Sequence, residues 1–193
     1  MRVLWRTPFL GRAIFDLWRL DARRKVDWFT PFVAPGDRLI EIGSGPGSVQ
    51  SVLAERGLSA YPLDIADSSF DERFKPHLYD GKDMPFEDRD FDTALLLTIL
   101  HHTPEPDAIL REASRIARRL ILVEDVFNGP IQRYLTYGAD SVINLEFLGH
   151  PHTNRDDLGW RATFDKLGLN LVHADQKPFG LLFRQALYVV DCA

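Results

Sequence analysis

Arg38-Leu39-Ile40-Glu41-Ile42-Gly43-Ser44-Gly45-Pro46-Gly47-Ser48 is the stretch whose reading decides the fold. A short apolar run carrying one acid enters glycines at alternate positions, and residues 48–55 follow with helical periodicity until Gly57 stops them. That order is strand, tight turn, helix. Downstream, residues 60–64 form a candidate second strand ending on Asp64, and residues 76–79 a weaker third one. Residues 91–100 are nearly all apolar at their centre, as a parallel strand covered on both faces requires. A helical stripe over 105–118 and a buried strand at 120–123 continue the alternation. Strands alternating with helices of this length build βαβ units, so the expectation is an α/β, doubly wound, Rossmann-like sheet of seven strands. After residue 125 the rhythm changes. Residues 126–156 are long and mixed, 157–168 read as a helix, and two closing strands at 169–174 and 182–190 flank turn material at 177–180. With no helix between them, those two strands pair antiparallel at the sheet edge.

Upstream, apolar residues between 9 and 32 recur at three- and four-residue steps, as in one or two amphipathic helices. This segment is aromatic and basic. Seven Lys and Arg stand against three Asp in residues 1–30, a net charge of +4, which leaves −9 on the rest of a chain whose total is −5. An acidic body argues against nucleic acid as the main partner, because phosphate neutralisation needs a basic face. No stretch approaches the roughly 18 apolar residues of a membrane span, so stable membrane insertion and a signal peptide are not expected. Cys192 is the single cysteine, which excludes an intramolecular disulfide and a cysteine-based metal cluster. The 193 residues suit one domain in a reducing, cytoplasmic setting, with monomer and homodimer both open.

In an open parallel sheet, ligands bind beyond the carboxyl ends of the strands near the change of strand order. Gly43, Ser44, Gly45 and Gly47 would let a ligand lie against bare backbone there, and Asp64 sits where an acid meets ribose hydroxyls. The plainer readings are a turn serving chain reversal and a capping aspartate. The acid fits a nicotinamide dehydrogenase as well, although that fingerprint asks for a third glycine where this chain has Ser48.

At these residues the chain resembles the class I S-adenosylmethionine-dependent methyltransferase family. The run 39–47 is similar to the family's first motif, and Asp64 to its acidic second-strand end. Residues 80–86 (Asp-Gly-Lys-Asp-Met-Pro-Phe), then Asp90-Phe91-Asp92 and an apolar strand, resemble the stretch where the family's acid meets the adenine amino group. The resemblance implies S-adenosyl-L-methionine as cofactor, with S-adenosyl-L-homocysteine as product. It assigns Asp64 to the ribose, Ile65 to the adenine face, Asp80 (or Asp83, three residues on) to the adenine amino group beside Gly81 and Lys82, and Thr98 to the methionine portion. Glu41 would answer the ammonium while turn N–H groups answer the carboxylate.

On this reading residues 1–193 are one methyltransferase domain. It comprises a helical cap at 1–34, a cofactor-binding core at 38–125, an insertion at 126–156 shaping the acceptor pocket, and a closing helix and strands at 157–193. Methyl transfer needs a general base only when the nucleophile still holds its proton. His101 and His102 after the fourth strand, and His150 and His152 in the insertion, are candidates for that base or for acceptor positioning; Glu124 and Asp125 lie nearby. No metal site is expected. The fourth strand runs into Thr98-Ile99-Leu100-His101 and not into the Asn/Asp-Pro-Pro-aromatic turn of the family's nucleobase and glutamine methylators. A small-molecule acceptor is therefore expected, methylated on O, N or C. The alternatives are an adenosylmethionine-binding regulator or partner subunit without turnover, and a nicotinamide-dependent dehydrogenase. The N-terminal aromatics Trp5, Phe9, Phe15, Trp18, Trp28 and Phe29 suit a lid, a plain packing helix or a membrane-surface contact.

Overall fold

A computed structural model describes residues 8–127, 153–179 and 183–192. Seven strands form one mixed sheet: β1 Leu39–Ile42, β2 Ala60–Asp64, β3 His77–Leu78, β4 Phe91–Leu97, β5 Ala117–Val126, β6 Asn170–Phe179 and β7 Phe183–Asp191. Their order is β3-β2-β1-β4-β5-β7-β6. The first five run parallel, and β7 lies antiparallel to both β5 and β6. The strand order reverses between β1 and β4, which fixes where a ligand site can open.

Among the described residues four α-helices cover the two faces. α1 (Pro8–Phe29) and α2 (Ser48–Glu55) lie over Leu39, Leu95, Leu97, Ile121, Val123, Leu187 and Val189, and α1 contributes Ala22, Val26, Trp28 and Phe29 to that core. α3 (Pro106–Ile116) and α4 (Asp157–Lys166) cover Ile40, Ile42, Ala94, Leu96, Leu120, Leu122 and Tyr188. Side chains alternate between the faces along each strand, which is why the central strands are apolar throughout. Charged side chains of α1 are paired locally. Arg19 and Arg23 pair with Glu55 of α2, Arg12 with Asp16, Arg24 and Lys25 with Asp21, and Asp27 with Arg56. The Trp28 indole donates to Asp175 Oδ2 at 2.8 Å, tying α1 to β6.

Several boundaries differ from the sequence reading. The apolar run from Phe91 stops as a strand at Leu97, because Thr98 turns left-handed at φ 56° and Leu100–His102 form a single 3₁₀ turn. Strand β5 begins at Ala117, directly from α3. The expected turn at 177–180 is strand through Phe179; Pro178 is tolerated because β6 is an edge strand and needs no outward donor. The second half of α1 packs on the sheet, with Val26 and Phe29 fully buried.

The turn after β1 depends on glycine. Gly43 has φ +75°, and a Cβ there would lie 2.6 Å from Ile99 Cγ2. Gly43→Ala should therefore lose about 2–4 kcal/mol in urea unfolding, from left-handed strain plus overpacking. Gly45, at φ +53° with no atom within 4 Å of a Cβ, should lose only about 1–2 kcal/mol as alanine.

Candidate functional site

The carboxyl ends of β1, β2 and β4 converge on the Gly43–Gly47 turn. Glu41 alternates with Ile40 and Ile42, so its side chain enters the α1–α2 face, where it is 3% exposed. Its Oε2 accepts a 2.7 Å hydrogen bond from Gln50 Nε2 of α2. Desolvation pushes its pKa up to about 8; Asp64 adds to the rise, and the Gln50 hydrogen bond and the Lys25 charge oppose it. This acid holds its proton at neutral pH.

Asp64 closes β2 opposite the same turn. Its Oδ2 accepts from the Gly45 N–H at 2.8 Å, and its Oδ1 from the Ile65 N–H at 2.7 Å. The capping role is thus real: Oδ1 also accepts from the Ala66 N–H at 3.3 Å, while Oδ2 keeps a second lone pair for a ligand hydroxyl. The Gly43 and Ser44 N–H groups donate to Leu63 O, and that of Gly47 to Ser44 O. These four residues therefore bring bare backbone to the site with their own N–H groups engaged within the fold, while the N–H groups opening α2 carry no side-chain cap.

Ile65 is 65% exposed, an apolar side chain standing beside an acid. A Cβ on Gly81 would lie 3.1 Å from Ile65 Cγ2, so the two form one flat apolar surface. Asp80 Oδ1 accepts from the Lys82 and Asp83 N–H groups at 2.8 and 3.0 Å, which holds its carboxyl below the usual range. Tyr79 lies between them; burial, then Asp64 and Asp80, push its hydroxyl up to about 12.

Across the site, Thr98 Oγ1 accepts from Lys25 Nζ of α1 at 2.8 Å and donates to Leu97 O at 2.7 Å. On the opposite face of β5, fully buried Glu124 accepts from the Ile99 and Leu100 N–H groups through Oε1, and its Oε2 lies 2.7 Å from His101 Nδ1. His101 is 1% exposed, so it anchors the 3₁₀ turn; His102, its ring tilted against that of His101 at 4.1 Å, is half-buried. On the α1 face Asp125 Oδ1 accepts from Gln185 Nε2 at 2.7 Å, and Gln185 Oε1 accepts from Arg24. Burial raises the Asp125 pKa, with His101, Gln185 and Lys25 opposing. His150 and His152 lie outside the described residues, as does most of the 126–156 insertion. Among the described residues no group of three or more His, Cys, Asp or Glu is arranged to hold a metal.

Three participants escape a reading of the sequence. Lys25 falls on the Ala22, Val26, Phe29 stripe of α1, and Gln50 among Val49, Val52 and Leu53 of α2. A polar residue at a core position was the available signal for both. Tyr79 carried no signal, since part of its surroundings comes from Asp64 at the end of another strand.

Two features show what this geometry accommodates. Ser44 Oγ is buried without a hydrogen-bond partner among the described residues, and open space lies over Gly45. A proton-holding acid lies at one end and an apolar platform flanked by acids at the other, which fits a ligand with a cationic end and a flat aromatic end.

Residues 40–120 match the family model described as "Methyltransferase domain". The chain is 30% identical over 106 residues to a demethylmenaquinone methyltransferase of Corynebacterium urealyticum, covering 53% of this chain and 44% of that protein. It is 25% identical over 167 residues to the methyltransferase GfsG of Streptomyces halstedii, covering 77% of this chain and 60% of that one. The chain thus spans less than two thirds of either relative. In fold it is similar to the magnesium protoporphyrin IX methyltransferase of Synechocystis, crystallised with bound SAH, with a TM-score of 0.65 at 18% identity, covering 90% of this chain and 83% of that one.

Proposed function

Because residues 40–120 match a methyltransferase-domain model and the fold is that of class I S-adenosylmethionine-dependent methyltransferases, we propose that the chain transfers a methyl group from S-adenosyl-L-methionine to an O, N or C nucleophile of a small molecule. The observation that carries this reading is buried Glu41 beneath a left-handed glycine turn, with Asp64 and exposed Ile65 on the adjacent strand. Glu41 would face the ammonium, Asp64 the ribose, Ile65 and Gly81 the adenine, Asp80 with the Lys82 backbone the adenine amino group, and Thr98 the methionine portion. Adenosylmethionine supplies an electrophilic methyl group on a sulfonium. The chain's own contribution is then to bind, orient and exclude water, which lowers the barrier by positioning.

On the acceptor side, half-buried His102 is the described histidine best placed to take a proton, with His150 and His152 as further candidates. His101 would hold the turn that carries it. The small-molecule acceptor is supported by the relatives, whose printed names concern menaquinone and porphyrin chemistry. No described helix is long and apolar enough to cross a membrane.

The test is calorimetry with adenosylhomocysteine. Free Glu41 keeps its proton up to a pH of about 8, whereas the unfolded chain loses it near 4.5. Between those values the folded state binds more protons, so rising pH reduces this group's stabilisation of the free protein. A ligand ammonium favours the carboxylate, so binding should release close to one proton at pH 7, and affinity should rise roughly tenfold per unit until pH 8. Titrations in two buffers of different ionisation enthalpy measure the proton. Tight NADH binding with no adenosylhomocysteine binding overturns the reading.

A further inference from the structure

Lys25 is 7% exposed, an ammonium brought from α1 to the α1 face of the sheet. Its Nζ lies 2.7 Å from Asp21 Oδ2 and 2.8 Å from Thr98 Oγ1. Burying an ammonium is unfavourable unless it is paired and hydrogen-bonded. Asp21 is 28% exposed at the side chain and would pair equally well with a lysine turned toward solvent, so pairing alone does not explain the inward course.

What the inward course reaches is a left-handed corner just beyond β4. Thr98 is β-branched and left-handed at φ 56°, a conformation that persists only where its surroundings over-determine it. The surroundings here are two: the Thr98 N–H donates to Val123 O at 2.6 Å, and its hydroxyl bridges Lys25 and Leu97 O. The Lys25 charge also acts on two carboxyls, Glu41 of β1 and Asp125 of β5. Glu41 is faced besides by Gln50 of α2 and Asp64 of β2; Asp125 by Gln185 of β7, His101 and Glu124. Lys25 itself is faced by Asp21 of its own helix. The N–H groups of Gly43, Ser44, Gly45 and Gly47 are bonded within the fold, so a charge brought in by a side chain bears directly on the site.

Resting on the methyltransferase reading, we propose that Lys25 is a positioning residue of the cofactor site, fixing the Thr98 corner and supplying the positive charge that Glu41 and Asp125 face. Helix α1 is then a wall of the site and not merely its cover. The two actions separate by substitution: glutamine keeps a donor for Thr98 without charge, methionine keeps neither, and arginine keeps the charge.

The experiment is adenosylhomocysteine affinity by calorimetry from pH 6 to 9, with folding checked by circular dichroism. Lys25→Met should lower affinity at pH 7 roughly tenfold and move the pH at which affinity levels off up by about one unit. Lys25→Gln should show the same pH displacement with part of the affinity recovered, and Lys25→Arg the wild-type midpoint. Asp21→Asn, at a partly exposed position, should move the midpoint down. Should Lys25→Met fail to fold, Lys25→Gln and Asp21→Asn decide. A folded Lys25→Gln or Lys25→Met protein with the wild-type midpoint, or an unmoved midpoint in Asp21→Asn, sinks the proposal while leaving the methyltransferase reading intact. Failure of the wild type to bind adenosylhomocysteine at any pH overturns that reading, and this proposal with it.

Discussion

Asp64→Ala is expected to lower the affinity for adenosylhomocysteine by about two orders of magnitude, because one carboxylate serves two purposes. It would accept from ligand hydroxyls, each such charge-assisted bond contributing about 1.5–3 kcal/mol. It also holds the turn from below, through Gly45 N–H at 2.8 Å. Removing it frees a left-handed glycine from its tether, so the bare backbone over which the ligand lies loses its fixed position. Asp64→Asn separates these purposes. An amide oxygen still accepts from the Gly45 N–H, but the amide nitrogen then faces the Ile65 N–H, so only about 1–2 kcal/mol of stability should be lost while affinity falls by about tenfold. Calorimetry and thermal unfolding of the pair read the two effects. Equal affinity in wild type and Asp64→Ala would mean that the carboxylate is a cap and nothing more.

The largest stability effect belongs to Glu124→Ala, which should lose about 3–5 kcal/mol in denaturant unfolding. Glu124 has no exposed surface and is bonded to the Ile99 N–H at 3.0 Å, the Leu100 N–H at 2.9 Å and His101 Nδ1 at 2.7 Å. Truncation leaves three buried polar groups without their acceptor. For a domain of this size the melting temperature should fall by roughly 10 °C. Glu124→Gln keeps one oxygen for the turn and should lose about 1–2 kcal/mol. A Glu124→Ala protein as stable as the wild type would show that water replaces the carboxylate, contrary to the dry packing of this corner.

The features legible in the sequence were those whose signal is local. The glycine turn after Ile42 announces itself by residue type, since positive φ at Gly43, Gly45 and Gly47 admits little else. Strands β4 and β5 announce themselves by unbroken apolar runs, and the antiparallel closing pair by the missing crossover helix. The features that escaped depend on distance along the chain. Lys25 reads as one more cation of a basic helix until β4 is folded against it, 73 residues away. His101 reads as a free catalytic candidate until Glu124, 23 residues on, occupies its ring. Thr98 has strand propensity, and only its contact with Val123 O and Lys25 bends it out of β4. Pro178 signals a turn by composition, but an edge strand has an outward side where the missing N–H does no harm.

Strand β7 sits between β5 and β6 although it follows both in sequence. A chain growing from its N-terminus can thus complete the parallel half through Val126 and still present the β5 edge, Leu120 to Val126, with no strand beside it. Strand β6 cannot close that edge by itself, because its partner is β7. The last two strands must dock together as a hairpin. Until they do, an apolar edge is open to any other extended chain, and the nascent protein is at its most aggregation-prone when only its final strand is missing.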